Sequence, residues 1–585
     1  MCSEKKARRV LITAALPYVN NAPHLGNIVG SSLSADVFAR YSRMRGYETL
    51  FVCGSDEYGT AVEIKALEEK TTCASLCERY HGEHRKVYDW FQLSFDTFGR
   101  TATPAHTEFT QKMFERMHSN GLFSEQSTEQ LYCGPCRMFL ADRFVEGTCY
   151  LCGYPDARGD QCDGCGKLLN ATELVSPRCK LCGVCPEKKE TTHLFLDLPL
   201  LQERCSAFFK KVSAGESVFC ASGEAETLRS SSRAWWSRNT LAITKKWLDE
   251  GLKTRCITRD LRWGVPVPDS KGLSEKVRGK VFYVWFDAPI GYISMTAEHT
   301  ADWERWWRSK DTELFQFMGK DNVPFHSVVF PACLLGSGED WVLPKVISAT
   351  EYLGYEGEKF SKSRGVGVFG RDVMETGIPC SVWRFYLVSI RPEQSDTDFS
   401  WENLATKCNT ELLGNLGNFV NRVCSFIFKR TDGAVPDRNG REETELERSF
   451  VAGVDEELAR YFSSMENARL SAGLRSAMAM SALGNRYLSE SGLTAKLLDT
   501  DRERCAVILL RGINLVYLLA GAVMPFIPET GQEMCRILGR QSTRIEERFT
   551  LQIESGHRIE KPAHLFKRID SVEDLKKRFG GEQTK

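Results

Sequence analysis

The sequence predicts an α/β chain: an open parallel sheet, split by a metal-organised insertion and followed by an all-α bundle. Three observations carry this. A βαβ pattern opens the chain, four Cys-x-x-Cys pairs crowd into residues 133–182, and apolar residues recur at helical spacing from Trp401 to about Leu538. At roughly 150 residues per domain, a length of 585 residues rules out a single small module.

Residues 9–15 form a continuous apolar run of the buried parallel-strand type, ending at Pro17 and a loop with Asn20 and Asn21. From Ile28 to Met44, the residues Ile28, Leu33, Val37, Phe38, Tyr41 and Met44 share one helical face, and Gly46 reads as the stop. Residues 49–53 make a second strand. Strand-like runs return at 280–286 and 313–318, so the sheet resumes after the insertion. Residues 120–195 show little helical or strand periodicity. The Ser/Gly/Arg-rich stretch between about 210 and 240 reads as a surface loop, in which Trp235 and Trp236 sit oddly. The last forty residues mix charges with Phe566, Leu575 and Phe579, and read equally as a helix packed back or a free tail.

Hydrophobic residues make up 42% and charged residues 26%, as in a folded soluble protein. Lys+Arg and Asp+Glu both number 77, which excludes the uniformly basic footprint of a general nucleic-acid binder and leaves only local patches. The N-terminal residues do not read as a secretory leader. The longest apolar stretch, residues 515–527, is short for a bilayer and broken by Pro525, so no membrane association and a cytoplasmic location are expected. In that reducing setting the 22 cysteines are not a disulfide framework.

The four pairs are Cys133/Cys136, Cys149/Cys152, Cys162/Cys165 and Cys179/Cys182. Each two-residue gap lets a tight turn aim two thiolates at one ion, and two turns complete a tetrahedral zinc site. Two structural Zn2+ ions follow, each contributing roughly 10–16 kcal/mol of apparent binding free energy to folding. A nested pairing is favoured, outer pairs on one ion and inner pairs on the other, with Cys185 a spare for Cys182. Cys133-Gly-Pro-Cys136 also fits a redox dipeptide, but its segment does not run from strand to helix, and three more pairs surround it.

Pro23-His24-Leu25-Gly26-Asn27 lies where the first strand gives way to the first helix, at the carboxyl edge of the sheet, where helix amides favour anions. His24 can donate to a phosphate, and Gly26 lets a flat purine approach the backbone. Far downstream, Lys359-Phe-Ser-Lys362-Ser-Arg-Gly365 is a basic loop whose two lysines suit the β and γ phosphates of ATP, stabilising charge on departing pyrophosphate.

Together, His24-Leu-Gly-Asn27 and Lys359-Phe-Ser-Lys-Ser363 resemble the two signatures of class I aminoacyl-tRNA synthetases. Ala14-Ala-Leu-Pro-Tyr-Val-Asn-Asn21, Trp285-Phe-Asp-Ala-Pro-Ile-Gly-Tyr292 and the double zinc knuckle resemble the methionyl-tRNA synthetases of eukaryotic cytosolic and archaeal type, from about residue 8 to 540. The resemblance implies a split Rossmann-like sheet and an all-α anticodon-binding bundle. It implies a methionine pocket of Leu16, Tyr18, Asp56, Trp285, Ala288, Pro289, Tyr292 and His326, with Asp56 facing the α-amino group. His24, Gly26, Asn27, Gly319, Lys320, Asp321, Lys359 and Lys362 are implied at ATP with its Mg2+, and Arg259 near the phosphates. His24, Asn27, Arg259, Lys359 and Lys362 are the implied catalytic set, and Asn418 and Arg422 read the anticodon. Two departures stand out: Gly414 replaces a family asparagine, and Thr494 stands where a stacking tryptophan is usual.

The implied divisions are 1–120 and 236–355 for the halves of the catalytic sheet, 121–235 for the zinc insertion, and 356–400 for the basic loop and stem-contact region. The anticodon bundle is 401–545 and the tail 546–585, a candidate for association with other translation factors. The implied reaction joins methionine to initiator and elongator methionine tRNA. The alternatives are a class I synthetase of another specificity and a non-catalytic zinc RNA-binding protein.

Overall fold

The computed structural model describes residues 8–140, 144–158, 162, 165, 169, 171–228, 233–357 and 367–579. Its centre is a six-stranded, all-parallel sheet. In chain order the strands and their insertion are β1 (Arg9–Ala14), β2 (Glu48–Ser55), β3 (Thr97–Arg100), the insertion strands β4 (Phe123–Cys133) and β5 (Glu187–Leu196), then β6 (Trp235–Trp236), β7 (Thr312–Gly319) and β8 (Pro344–Thr350). Spatially the sheet runs β6-β8-β7-β1-β2-β3. β1 pairs with β2 on one side and β7 on the other, placing Ile12 opposite both Phe51 and Phe315. Helices cover both faces, so every β1 residue is buried and the run is mostly apolar, with Arg9 and Thr13 its polar members. The order reverses between β1 and β7, and the crevice at their carboxyl ends is where such sheets bind ligands.

The helix after β1 is continuous from Leu25 to Met44 but contains a π-helical turn at Ile28–Ser32, a feature that frequently marks functional sites. Ser31 Oγ in that turn donates to the Ala15 carbonyl at 3.1 Å, tying helix to strand end. Gly46 adopts φ +74° just past the last turn, the left-handed stop that glycine suits.

Several expectations need correcting. Residues 120–195 do contain regular structure: β4 and β5 pair antiparallel over ten residues, from Phe123↔Leu196 to Tyr132↔Glu187. Much of this ribbon is exposed, so its sequence lacks the apolar alternation of a half-buried strand. The 210–240 stretch holds the end of a helix (Gln202–Ser213) and a hairpin (Ser217–Ala221 with Glu224–Leu228). The two tryptophans are β6, an edge strand pairing with Val346 and Ile347. Trp236 is buried, its ring 5.6 Å from that of Phe208. The run at 280–286 is a strand only at Val281–Phe282 and then a short helix, Val284–Asp287; a short apolar run does not distinguish the two when buried all round.

The helices used below are α1 (Leu33–Met44), α2 (Cys380–Ser389), α3 (Asn418–Arg430), α4 (Leu470–Glu490), α5 (Arg502–Val523) and α6 (Glu573–Phe579). α5 is 22 residues long and apolar enough to cross a membrane by composition, but 89% of its most apolar 18-residue stretch is buried inside the bundle. The apolar stretch is therefore a core helix, for which burial rather than shortness is the explanation. α6 packs back: Phe579 stacks on Trp401 at 6.3 Å, and Arg578 pairs with Glu375 at 2.6 Å.

Bundle and sheet share one apolar core, pinned by a buried arginine. Arg384 on α2 donates to Asp36 of α1 at 2.7 Å and to the carbonyls of Phe91, Pro525 and Phe526 at 2.7–3.0 Å. Burial opposes a charged Asp36, yet Arg384 and Arg40 hold its carboxyl below the usual range. Such a fully paired charge fixes geometry more than it adds net stability.

Candidate active site

A cavity of about 410 Å3 opens at the β1/β7 crevice, lined by Ala15 to Tyr18, His24, Gly26, Asn27, Gly319, Asp321, Asn322 and Tyr352 among others. A narrow side pocket adjoins it, sharing Ala15, Leu16, Tyr18 and Asn322.

All eight residues expected around methionine line the side pocket, together with Ala15, Val284, Asn322 and Phe325. Phe325 is an aromatic wall missed in the sequence, its ring 4.6 Å from that of Trp285; its place just before His326 is the one signal that could have found it. Deeper in, Tyr292 Oη and His326 Nε2 are 2.8 Å apart, and His326 Nδ1 lies 2.8 Å from the Asn322 carbonyl. Burial pushes His326 down to about 4, so the ring is neutral. Its Nδ1–H then donates to the carbonyl and its Nε2 accepts from the Tyr292 hydroxyl. Both polar ends are thereby engaged with each other, leaving aromatic and aliphatic surface for an apolar ligand.

Asp56 follows β2 and is fully buried, yet its Oδ1 has no hydrogen-bond partner. Burial first, and the neighbouring Asp287 second, raise its carboxyl well above the usual range. A buried carboxylate oxygen without a partner is costly unless a cation meets it.

His24 caps the first helical turn: its Nδ1 accepts from the Asn27 amide, and Asn27 Oδ1 accepts from the His24 amide, both at 3.3 Å. Burial lowers His24 to about 4, so the neutral ring carries its proton on Nε2. A Cβ on Gly26 would come within 2.9 Å of that ring, so glycine makes room for His24 while lining the cavity. Asp321 accepts a hydrogen bond from the Tyr352 hydroxyl at 2.5 Å. Lys320 does not line the cavity: it pairs with Glu351 at 2.7 Å and Asp396 at 3.1 Å, its ammonium 3.8 Å from the Tyr352 ring centre. Arg259 also lies outside both cavities, stacked 3.8 Å over Tyr283 and donating to the Thr258 carbonyl at 2.8 Å. Lys359 and Lys362 lie outside the described residues.

The cysteines fall into two sets, Cys133, Cys136, Cys179 and Cys182, and Cys149, Cys152, Cys162 and Cys165, the sulfurs of each within 4.8 Å of one another. The Sγ–Sγ separations are 3.4 Å for Cys133–Cys182, 3.9 Å for Cys136–Cys179 and 3.6 Å for Cys152–Cys162. Four sulfurs about 2.3 Å from one tetrahedral ion stand about 3.8 Å apart, so both sets fit zinc. The grouping is nested, and Cys185 belongs to neither set.

In the bundle, Asn418 and Arg422 lie one turn apart on α3 and both contact Asn485 of α4. Thr494 caps a short helix through the Leu497 amide at 3.2 Å, and Gly414 is exposed.

Residues 10–424 match the family of class I tRNA synthetases of the methionine type, and residues 435–584 match the anticodon-binding domain of methionyl tRNA ligase. The cytoplasmic methionine–tRNA ligase of Arabidopsis thaliana is 50% identical over 99% of this chain and 72% of its own length; that of Saccharomyces cerevisiae is 47% identical over 99% and 74%. Mycobacterium tuberculosis methionyl-tRNA synthetase in complex with methionyl-adenylate shares the fold at TM-score 0.74 and 22% identity, covering 96% of this chain and all of that one. With a family model matched over residues 10–424 and relatives 47–50% identical over nearly the whole chain, the chain belongs to the class I methionyl-tRNA synthetase family.

Proposed function

We propose that this chain charges methionine tRNA, initiator and elongator alike, with methionine through a methionyl-adenylate, in the cytoplasm. The observation that carries it is Asp56: a sealed, unpartnered carboxylate oxygen beside an aromatic pocket suits a ligand with an ammonium next to an apolar tail. The thioether lies among Trp285, Phe325, Tyr292 and Pro289, where sulfur–aromatic contacts select it. ATP occupies the larger cavity, with Asp321 toward the ribose and His24 Nε2–H toward the phosphates, Mg2+ accompanying them. A methionine carboxylate oxygen attacks the α-phosphorus and the bond to pyrophosphate breaks. The 2′-hydroxyl of the terminal tRNA ribose then attacks the carbonyl carbon, and AMP leaves. Lys359, Lys362 and Arg259 are the charges offered to pyrophosphate, while Asn27 keeps His24 in place. Catalysis is chiefly alignment and charge stabilisation. Asn418 and Arg422 read the anticodon, and the two four-cysteine sets hold structural zinc.

Amino-acid-dependent ATP–pyrophosphate exchange tests the specificity. Methionine is expected to exceed valine, leucine and cysteine by about 10²-fold or more in kcat/KM, the scale an apolar pocket reaches. Equal exchange with any of these would overturn the reading.

The pH dependence separates the two ligands. As pH falls through the raised Asp56 midpoint, Asp56 takes up a proton and loses the charge that holds an ammonium, whereas His24, titrating near 4, stays neutral. KM for methionine is expected to rise, by up to about tenfold per pH unit below the Asp56 midpoint. KM for ATP is expected to stay within about twofold. An ATP KM that climbs through an ordinary histidine midpoint would contradict the assignment of His24.

A further inference from the structure

α3 and α4 meet closely in the bundle. A Cβ on Gly484 would lie 2.5 Å from Phe419 and 2.7 Å from Leu515, so the approach requires glycine there. The next residue, Asn485, is thereby pressed against the polar side of α3. Its Nδ2 donates to the Asn415 carbonyl at 2.9 Å, and its Oδ1 accepts from Asn418 Nδ2 at 2.9 Å. Arg422 Nη1 donates to the Asn485 main-chain carbonyl at 3.3 Å and to its Oδ1 at 3.5 Å. One turn on, Ser489 Oγ accepts from both terminal nitrogens of Arg422 at 3.4 Å and donates back to the Asn485 carbonyl at 3.0 Å. Asn485 lies outside every motif in the sequence.

We propose that Asn485 is a positioning residue for anticodon selection, holding the Asn418 amide and the Arg422 guanidinium so that together they offer one acceptor and several donors to the first anticodon base. This rests on the anticodon role proposed for Asn418 and Arg422. An asparagine on an open helix face can turn either end of its amide outward, and so reads opposite base edges alike. With Nδ2 of Asn418 engaged by Asn485, Oδ1 is the end turned out. A base edge that donates once and accepts twice complements this set. Cytosine has that edge, through its 4-amino group, N3 and O2. Uracil puts a carbonyl where cytosine has the amino group, and so faces Asn418 Oδ1 with like charge. A tRNA pairing with the methionine codon carries cytosine at that position. Hydrogen-bond readout weighs more here because Thr494, engaged as a helix cap, offers no ring for a base to stack on.

The test uses Asn485→Ala, Asn485→Leu and Arg422→Ala enzymes. Charging is measured on methionine tRNA transcripts with C or U at the first anticodon position, beside methionine-dependent pyrophosphate exchange. Both position-485 variants should keep exchange within about twofold, while kcat/KM for the C transcript falls about 10–100-fold and the C-over-U preference narrows at least about fivefold. Leucine has nearly the asparagine's shape but can neither accept from Asn418 nor donate to the Asn415 carbonyl, so it decides the matter on the same criteria should the alanine variant not fold. If the preference is unchanged in the 485 variants but lost in Arg422→Ala, Asn485 is not a positioning residue and the anticodon reading stands. If Arg422→Ala also leaves the preference unchanged, the anticodon reading itself fails. Exchange falling in step with charging would make Asn485 a general structural residue and overturn the proposal.

Discussion

Asp56→Asn is expected to lower kcat/KM for methionine by about 10²–10³-fold while leaving the enzyme slightly more heat-stable. Removing one partner of a buried, hydrogen-bonded charge pair costs about 2–5 kcal/mol of binding, and each 1.4 kcal/mol is about tenfold. The asparagine keeps the shape and one acceptor oxygen, so the loss isolates the charge. The opposite sign for stability follows from the same geometry. In the free enzyme Asp56 is buried beside Asp287 with Oδ1 unpartnered, so the fold carries a desolvated carboxylate that only substrate compensates. Its folded-state pKa lies above the unfolded value of about 3.8. The wild type therefore loses stability relative to the variant as pH rises through the folded midpoint. The gap in thermal midpoint, about 1–3 °C, should widen as pH rises from the unfolded value to the raised folded midpoint. A variant that binds methionine normally, or melts lower than wild type at pH 8, would contradict both halves.

Much of this site was legible in the sequence because its chemistry is carried by contiguous motifs. Trp285, Ala288, Pro289 and Tyr292 fall within eight residues, and Leu16 and Tyr18 follow a strand whose apolar run is unmistakable. Proximity of the two segments then comes from the helix Gly291–His299 packing on β2 and β3, with Gly291 against Leu16. What was hidden depends on partners distant in sequence. β6 is two residues long, too short for any period, and is a strand only because β8 lies beside it. The β4–β5 ribbon, largely exposed, lacks an apolar face to betray it. Lys320 sits beside two cavity-lining residues, yet Glu351 and Asp396, both remote, turn its ammonium aside. Asn485 lies mid-helix, where an isolated asparagine has no distinctive spacing; its partners come from another helix, sixty-odd residues earlier, brought near by Gly484.

Stripping zinc should unfold the insertion and abolish charging while the sheet and bundle remain folded. Among the described residues, the buried apolar cluster of the insertion is Leu131, Leu140, Phe144, Val145, Ala157, Ala171 and Leu174 besides four of the cysteines, with Met138 and Leu169 packed against it. A core of that size does not fold unaided, so the metals would supply the difference, roughly 10–16 kcal/mol each. Nesting makes the two sites unequal. The outer set closes the long excursion between Cys136 and Cys179 at the tip of the β4–β5 ribbon, against which the whole insertion is anchored. The inner set closes only the short loop between Cys152 and Cys162, whose ends meet at lower entropic cost. Cys133→Ser should therefore reduce zinc content from two ions to one and lower charging at least about tenfold, because breaking the outer set frees the insertion from the ribbon. Cys152→Ser should also lose one ion but keep most charging. Elemental zinc analysis, with hydrogen exchange over residues 123–196, measures both. Chelation that removes the metal yet leaves exchange protection and charging intact, or equal losses from the two variants, would overturn the argument, since the inequality follows directly from which pairs of thiols the chain brings together.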